Sequence, residues 1–129
     1  MEAPARRFRV LYIDHCRHCT DTFGQLFQLL GHEARIAHDG VETLEIGSGF
    51  RPDVVILAVN LLGRPDAYQL ARLIRSHAWG EGVALIGITG SGREIDERLR
   101  GAGFDHCLAR PVDVRALNAL LDQSRATSE

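Results

Sequence analysis

The sequence lacks the features that would place it in several large protein classes. No run approaches the ~18 apolar residues that a membrane-spanning helix needs. Residues 1–7 are polar, without the apolar centre of a secretory signal. Cysteine is scarce and odd in number, three in 129 residues. That argues against a secreted disulfide framework and for thiols or ligands in a reducing compartment. Runs of like charge are missing too: fifteen basic residues lie scattered among seventeen acids, for a net charge of −2. Electrostatics therefore makes no case for binding nucleic acid by itself. The expectation is a cytoplasmic chain, away from the membrane.

What is present suits one compact domain. With 45% hydrophobic residues, 129 residues can bury a core without a disulfide or structural metal. Five short apolar runs recur: Val10-Leu11-Tyr12-Ile13, Ala34-Arg35-Ile36-Ala37, Val54-Val55-Ile56-Leu57-Ala58-Val59, Val83-Ala84-Leu85-Ile86-Gly87-Ile88 and Cys107-Leu108-Ala109. The first, third and fourth are nearly continuous and rich in β-branched residues, as strands covered on both faces are. The second, broken by Arg35, reads as an edge strand.

Helical spacing fills the intervals. Phe23, Leu26, Phe27 and Leu30 fall at i, i+3, i+4, i+7, and so do Ala67, Leu70, Ala71 and Ile74. Ile95, Leu99 and Ala102 mark a shorter helix. Val114, Leu117 and Leu121 mark the last, with Asp113 as N-cap after Pro111. The pattern is weakest at 41–46. Gly31, Gly80 and Gly103 follow helical stretches, as C-terminal glycines do. His32 and His38 flank the edge strand and are expected in solvent. Trp79 is expected to pack against Ala78 and the end of the next strand. The alternation predicts an α/β, (βα)5 doubly wound fold: a five-stranded parallel sheet with right-handed crossovers and helices on both faces. It forms a single domain, core about 8–123, with tails at 1–7 and 124–129. In such a sheet the functional crevice lies beyond the carboxyl ends of the strands, which directs attention to 14–19, 58–66, 89–93 and 110–111.

These segments also carry a resemblance. Arg9-Val10-Leu11-Tyr12-Ile13-Asp14, Leu30-Gly31-His32-Glu33, His38-Asp39-Gly40, Arg51-Pro52-Asp53-Val54-Val55, Leu85-Ile86-Gly87-Ile88-Thr89-Gly90, Ala102-Gly103-Phe104-Asp105 and Arg110-Pro111-Val112 occur in that order. Over about residues 9–123 the chain resembles a two-component response-regulator receiver (CheY-like) domain. The resemblance implies the flavodoxin-like strand order 2-1-3-4-5. It also implies phosphoryl transfer from a histidine kinase to an aspartate at the end of the third strand. In that chemistry acids after the first strand hold Mg²⁺, and a hydroxyl and a lysine contact the phosphoryl oxygens.

Carried over residue by residue, the pattern is degraded. Asp14 keeps the first acid, and His15 replaces the second. Ala58 stands at the acceptor position. Thr89 keeps the hydroxyl, Arg110 replaces the lysine, Pro111 is retained, and Cys107 occupies the aromatic switch position. The loop 60–66 is one residue longer than the usual pattern. The resemblance thus implies a pseudo-receiver, not an enzyme, with Mg²⁺ binding lost or weak and no other cofactor. Asp14 is read as paired with Arg110 rather than as a metal ligand.

Its partners would be a histidine kinase or an output protein. A homodimer would use the face of the fourth helix, fifth strand and fifth helix (95–101 and 113–123). Two alternatives stay open. One is a metal or thiol sensor using His15, Cys16, His18 and Cys19, with His106 and Cys107 nearby. The other is phosphorylation of a substitute acid: Asp53, which lies at the wrong end of its strand, Asp66 in the following loop, or Asp14 itself.

Overall fold

The computed structural model describes residues 8–60, 65–89, 97–109, 116 and 119. Its elements follow the expected alternation: β1 (Arg9–Ile13), α1 (Arg17–Leu29), β2 (Glu33–Ala37), α2 (Gly40–Phe50), β3 (Val54–Ala58), α3 (Ala67–Ser76), a 3-10 turn (Ala78–Gly80), β4 (Ala84–Thr89), α4 (Glu97–Ala102) and β5 (His106–Ala109). Ala116 and Ala119 are helical; the rest of the expected last helix, including Asp113, lies outside the described residues. All strand pairs are parallel, in the order β2-β1-β3-β4-β5. Among the described residues no helix is long and apolar enough to cross a membrane.

Burial follows strand position. Every residue of β3 is buried, whereas β2 at the edge alternates and leaves Arg35 exposed. Side chains of β1, β3 and β4 point alternately to two cores. On one face Leu11, Ile13, Val55, Leu57 and Leu85 meet α3 and α4; on the other Val10, Tyr12, Ile56 and Ile88 meet Phe23 and Phe27 of α1. The four spaced residues of α3, Ala67, Leu70, Ala71 and Ile74, are all fully covered. Burial of Leu70 or Ile74 contributes about 1.5–3 kcal/mol each, and truncating Ile74 to alanine would cost roughly 2–5 kcal/mol.

The helix at 41–46 is real and longer than its pattern suggested. Asp39 caps it by accepting the Glu42 N–H at 2.9 Å. At its other end Arg51, with φ of 53°, takes the left-handed cap position and donates its N–H to the Gly47 carbonyl. Gly31 and Gly103 have positive φ, as expected of residues past a helix end. Gly80 does not: α3 stops at Ser76, and Gly80 closes the 3-10 turn, where a Cβ would collide with the Ile74 carbonyl oxygen.

Trp79 packs on the core cluster that contains Val83 and Leu85 and has a further contact that the sequence did not name. Its ring lies on Gly47 of α2, where a Cβ would come within 2.3 Å of it. His32 is buried, not solvated, because its ring fits between Phe8 and Phe27. His38 is half-buried and sits 3.2 Å from the Glu42 carboxylate.

Candidate functional site

The parallel register assembles the crevice at the carboxyl edge of the sheet. Ile13 pairs with Leu57, so the next residues, Asp14 and Ala58, stand side by side on adjacent strands. Ala58 pairs in turn with Ile88, and Thr89 with Ala109. Asp14, Ala58 and Thr89 are thus brought to one edge, as the sequence predicted.

Asp14 is wholly buried. Its backbone N–H donates to the Ala37 carbonyl at 3.1 Å, and its Oδ1 accepts the Cys16 N–H at 3.1 Å. That second bond makes a side-chain turn leading into α1, the local role an aspartate at a strand end can fill. His15 places Nδ1 3.5 Å from the same Oδ1, with its ring 37% exposed. Ala58 is wholly buried and presents a methyl. The Thr89 hydroxyl oxygen is buried without a hydrogen-bond partner among the described residues, an arrangement that native folds seldom leave in place.

Two substitute acids are engaged elsewhere. Asp53 lies at the amino end of β3, as expected, and accepts the Arg9 N–H at 2.9 Å. Asp66 caps α3: it accepts the Gln69 N–H at 2.9 Å while Gln69 accepts the Asp66 N–H at 3.0 Å. The Asp-x-x-Gln spacing ahead of an apolar helix was the available signal for this box.

Arg110 and Pro111 lie outside the described residues, and so does the expected Asp14–Arg110 pair. His18 and Cys19 fall in the first turn of α1, with side chains outside those described. Among the described residues no group of three or more His, Cys, Asp or Glu is placed to hold a metal ion. Cys107 is partly buried, in register with Gly87 and packed on the α3 side of the sheet. Beside it Phe104 is buried against Gly87, where a Cβ would lie 3.1 Å from the ring. The aromatic bulk of this region therefore comes from position 104.

Sequence reasoning missed Arg75. Its guanidinium donates to the carbonyls of Gly103, Gly80, Glu81 and Val83 and to Asp105 Oδ2 at 2.8 Å, joining α3, β4 and the end of α4. Asp105 Oδ2 also accepts the Leu85 N–H. This clamp lies at the amino edge of the sheet, far from Asp14. There an open groove of about 990 Å³ is lined by Arg51, Trp79, Arg100 and His106, among others.

No protein-family model matches the chain. The response regulator MprA of Mycobacterium ulcerans (strain Agy99) is 32% identical over 120 residues, 92% of this chain and 49% of that protein. The chain spans about half the length of the curated relatives it matches. Among solved structures, CheY4 of Vibrio cholerae superposes with a TM-score of 0.80 at 20% identity, covering 92% of this chain and 99% of that one. The signal receiver domain of a DNA binding response regulator from Colwellia psychrerythraea 34H gives 0.76 at 22% identity, covering 90% and 96%. These two likenesses speak for the fold, and the relatives add sequence similarity over most of the chain. The 2-1-3-4-5 parallel sheet and that sequence similarity together support a response-regulator receiver (CheY-like) domain.

Proposed function

We propose that this receiver domain works without phosphorylation, as a protein-interaction module in a two-component or phosphorelay pathway. The observation that carries the reading is Ala58, buried at the end of β3 beside the buried carboxylate of Asp14. Acyl-phosphate formation needs a carboxylate oxygen to attack phosphorus and cations to neutralise the transferring group. A methyl supplies neither nucleophile nor ligand.

The donors nearby do not fit Mg²⁺. Asp14 offers one carboxylate, already accepting an N–H on Oδ1, and His15 offers nitrogen where a hard dication prefers oxygen. Mg²⁺ binding is accordingly weak or lost, and no residue is assigned a catalytic role. Asp53 and Asp66 hold structural bonds, which argues against either as a substitute acceptor.

Function then rests on the surface. The partner is a signalling protein, a histidine kinase or an output protein. The face that includes α4 and β5 is the candidate contact, in a heteromeric complex or a homodimer.

The test is incubation of the full chain with acetyl phosphate and Mg²⁺, followed by intact mass, with beryllofluoride shift mapping in parallel. An unmodified mass and an unchanged spectrum are expected. A phosphorylated species at appreciable stoichiometry would overturn the reading.

A further inference from the structure

We propose that His32 is a pH-sensitive latch on the entry of β1, a property separate from the crevice chemistry above. The Phe8 backbone N–H donates to His32 Nδ1 at 3.1 Å in a buried setting. The Glu33 N–H donates to the Phe8 carbonyl at 3.0 Å, and the His32 N–H to the Phe27 carbonyl at 2.9 Å. The imidazole centroid lies 5.3 Å from the Phe8 ring and 6.3 Å from the Phe27 ring. His32 thus ties together the lead-in to β1, the end of α1 and the start of β2.

A ring nitrogen that accepts a hydrogen bond carries no proton, so this geometry selects the neutral ring with its proton on Nε2. Protonating Nδ1 sets one N–H against another and places a cation between two phenyl rings. Attraction of an imidazolium for those rings offsets part of the loss but does not replace the acceptor.

Each packed element contributes its own neighbours. On β1 and β2 the charged residues are Arg9, Glu33 and Arg35; Arg9 and Glu33 pair with each other at 3.6 Å, and the Arg35 guanidinium lies over the Phe50 ring. From β3, Asp53 accepts the Arg9 N–H. From α1 the contact is the apolar Phe27.

The sign follows from proton counting. The fold holds His32 neutral, while the unfolded or locally opened chain takes up a proton below about pH 6.5. The opened state then binds more protons, so the latch is closed above that pH and loosens as pH falls through it. One proton linked to opening gives roughly a tenfold change in the opened population per pH unit.

The experiment uses the full chain and His32→Asn, whose Oδ1 can take the place of Nδ1 as acceptor without titrating. Imidazole ¹⁵N spectra report the tautomer, and amide exchange at Phe8, corrected for intrinsic rate, reports opening. The expected results are an unprotonated Nδ1 near neutral pH and Phe8 protection that falls roughly tenfold per pH unit on acidification. In His32→Asn that protection should stay flat. A proton on Nδ1 near neutral pH, or the same pH dependence in both proteins, would overturn the proposal. Should His32→Asn fail to fold, the wild-type chain alone decides: titration of His32 with no change in Phe8 exchange also refutes it.

Discussion

Replacing Ala58 by aspartate restores the missing carboxylate and tests whether the rest of the site can use it. Ala58 is wholly covered, and its neighbour across the β1–β3 pair is the wholly buried Asp14. Adjacent strands run about 4.8 Å apart. At that separation two ionised carboxylates repel by about 3 kcal/mol at an effective dielectric of about 20. Desolvation of the new charge adds to this. For a chain of this size, about 3 kcal/mol lowers the melting temperature by roughly 10 °C.

The pH dependence has a definite sign. The fold favours the protonated form of the new carboxyl, so the deficit relative to wild type is full at neutral pH. It shrinks as pH falls toward the ordinary aspartate value of about 3.9. Thermal melts of Ala58→Asp and wild type by circular dichroism, at neutral and mildly acidic pH and with or without Mg²⁺, measure each part. Intact mass after acetyl phosphate treatment measures labelling. The expectation is a destabilised variant, little rescued by Mg²⁺ and poorly labelled. A variant as stable as wild type, or one that Mg²⁺ stabilises and acetyl phosphate labels efficiently, would show that the crevice still works as a phosphorylation site.

Other outcomes follow from local geometry. Arg75→Met should cost roughly 1–3 kcal/mol in urea unfolding, because it leaves part-buried carbonyls of Gly103 and Val83 without their donor; a loss under about 0.5 kcal/mol would mean that the clamp is cosmetic. Gly47→Ala should cost about 1–3 kcal/mol by driving a methyl into the Trp79 ring, and a melting temperature equal to wild type would contradict the packing of α2 on the 3-10 turn. Asp66→Ala should remove the α3 capping box for about 1 kcal/mol and leave the response to acetyl phosphate unchanged; an altered response would return Asp66 to the list of acceptors.

Much of the scaffold was legible because its signals are local. The apolar runs became strands, Arg35 marked the edge, and the spacing of Ala67, Leu70, Ala71 and Ile74 named a buried face without error. At the crevice, the places of Asp14, Ala58 and Thr89 were legible from the resemblance. The errors arose where the partner is distant or is backbone. His32 looked like a solvated flank because nothing local says that Phe8 and Phe27 will enclose it. Trp79 has a second contact, Gly47, that went unnamed because the glycine has no side chain to advertise it. Arg75 binds mostly carbonyls, one of them, that of Gly103, 28 positions away, and a carbonyl carries no mark in the sequence. Arg51 fills a left-handed cap that composition would assign to glycine.

The seat of Trp79 has a practical side. It is the chain's sole tryptophan, and it is held at the amino edge of the sheet against α2, while Asp14, Ala58 and Thr89 occupy the carboxyl edge. Intrinsic fluorescence therefore watches the floor of the molecule and is blind to its roof. A silent emission titration with metal or phosphodonor says nothing about the crevice, whereas a shift in emission reports a change in how α2 and the 3-10 turn are seated.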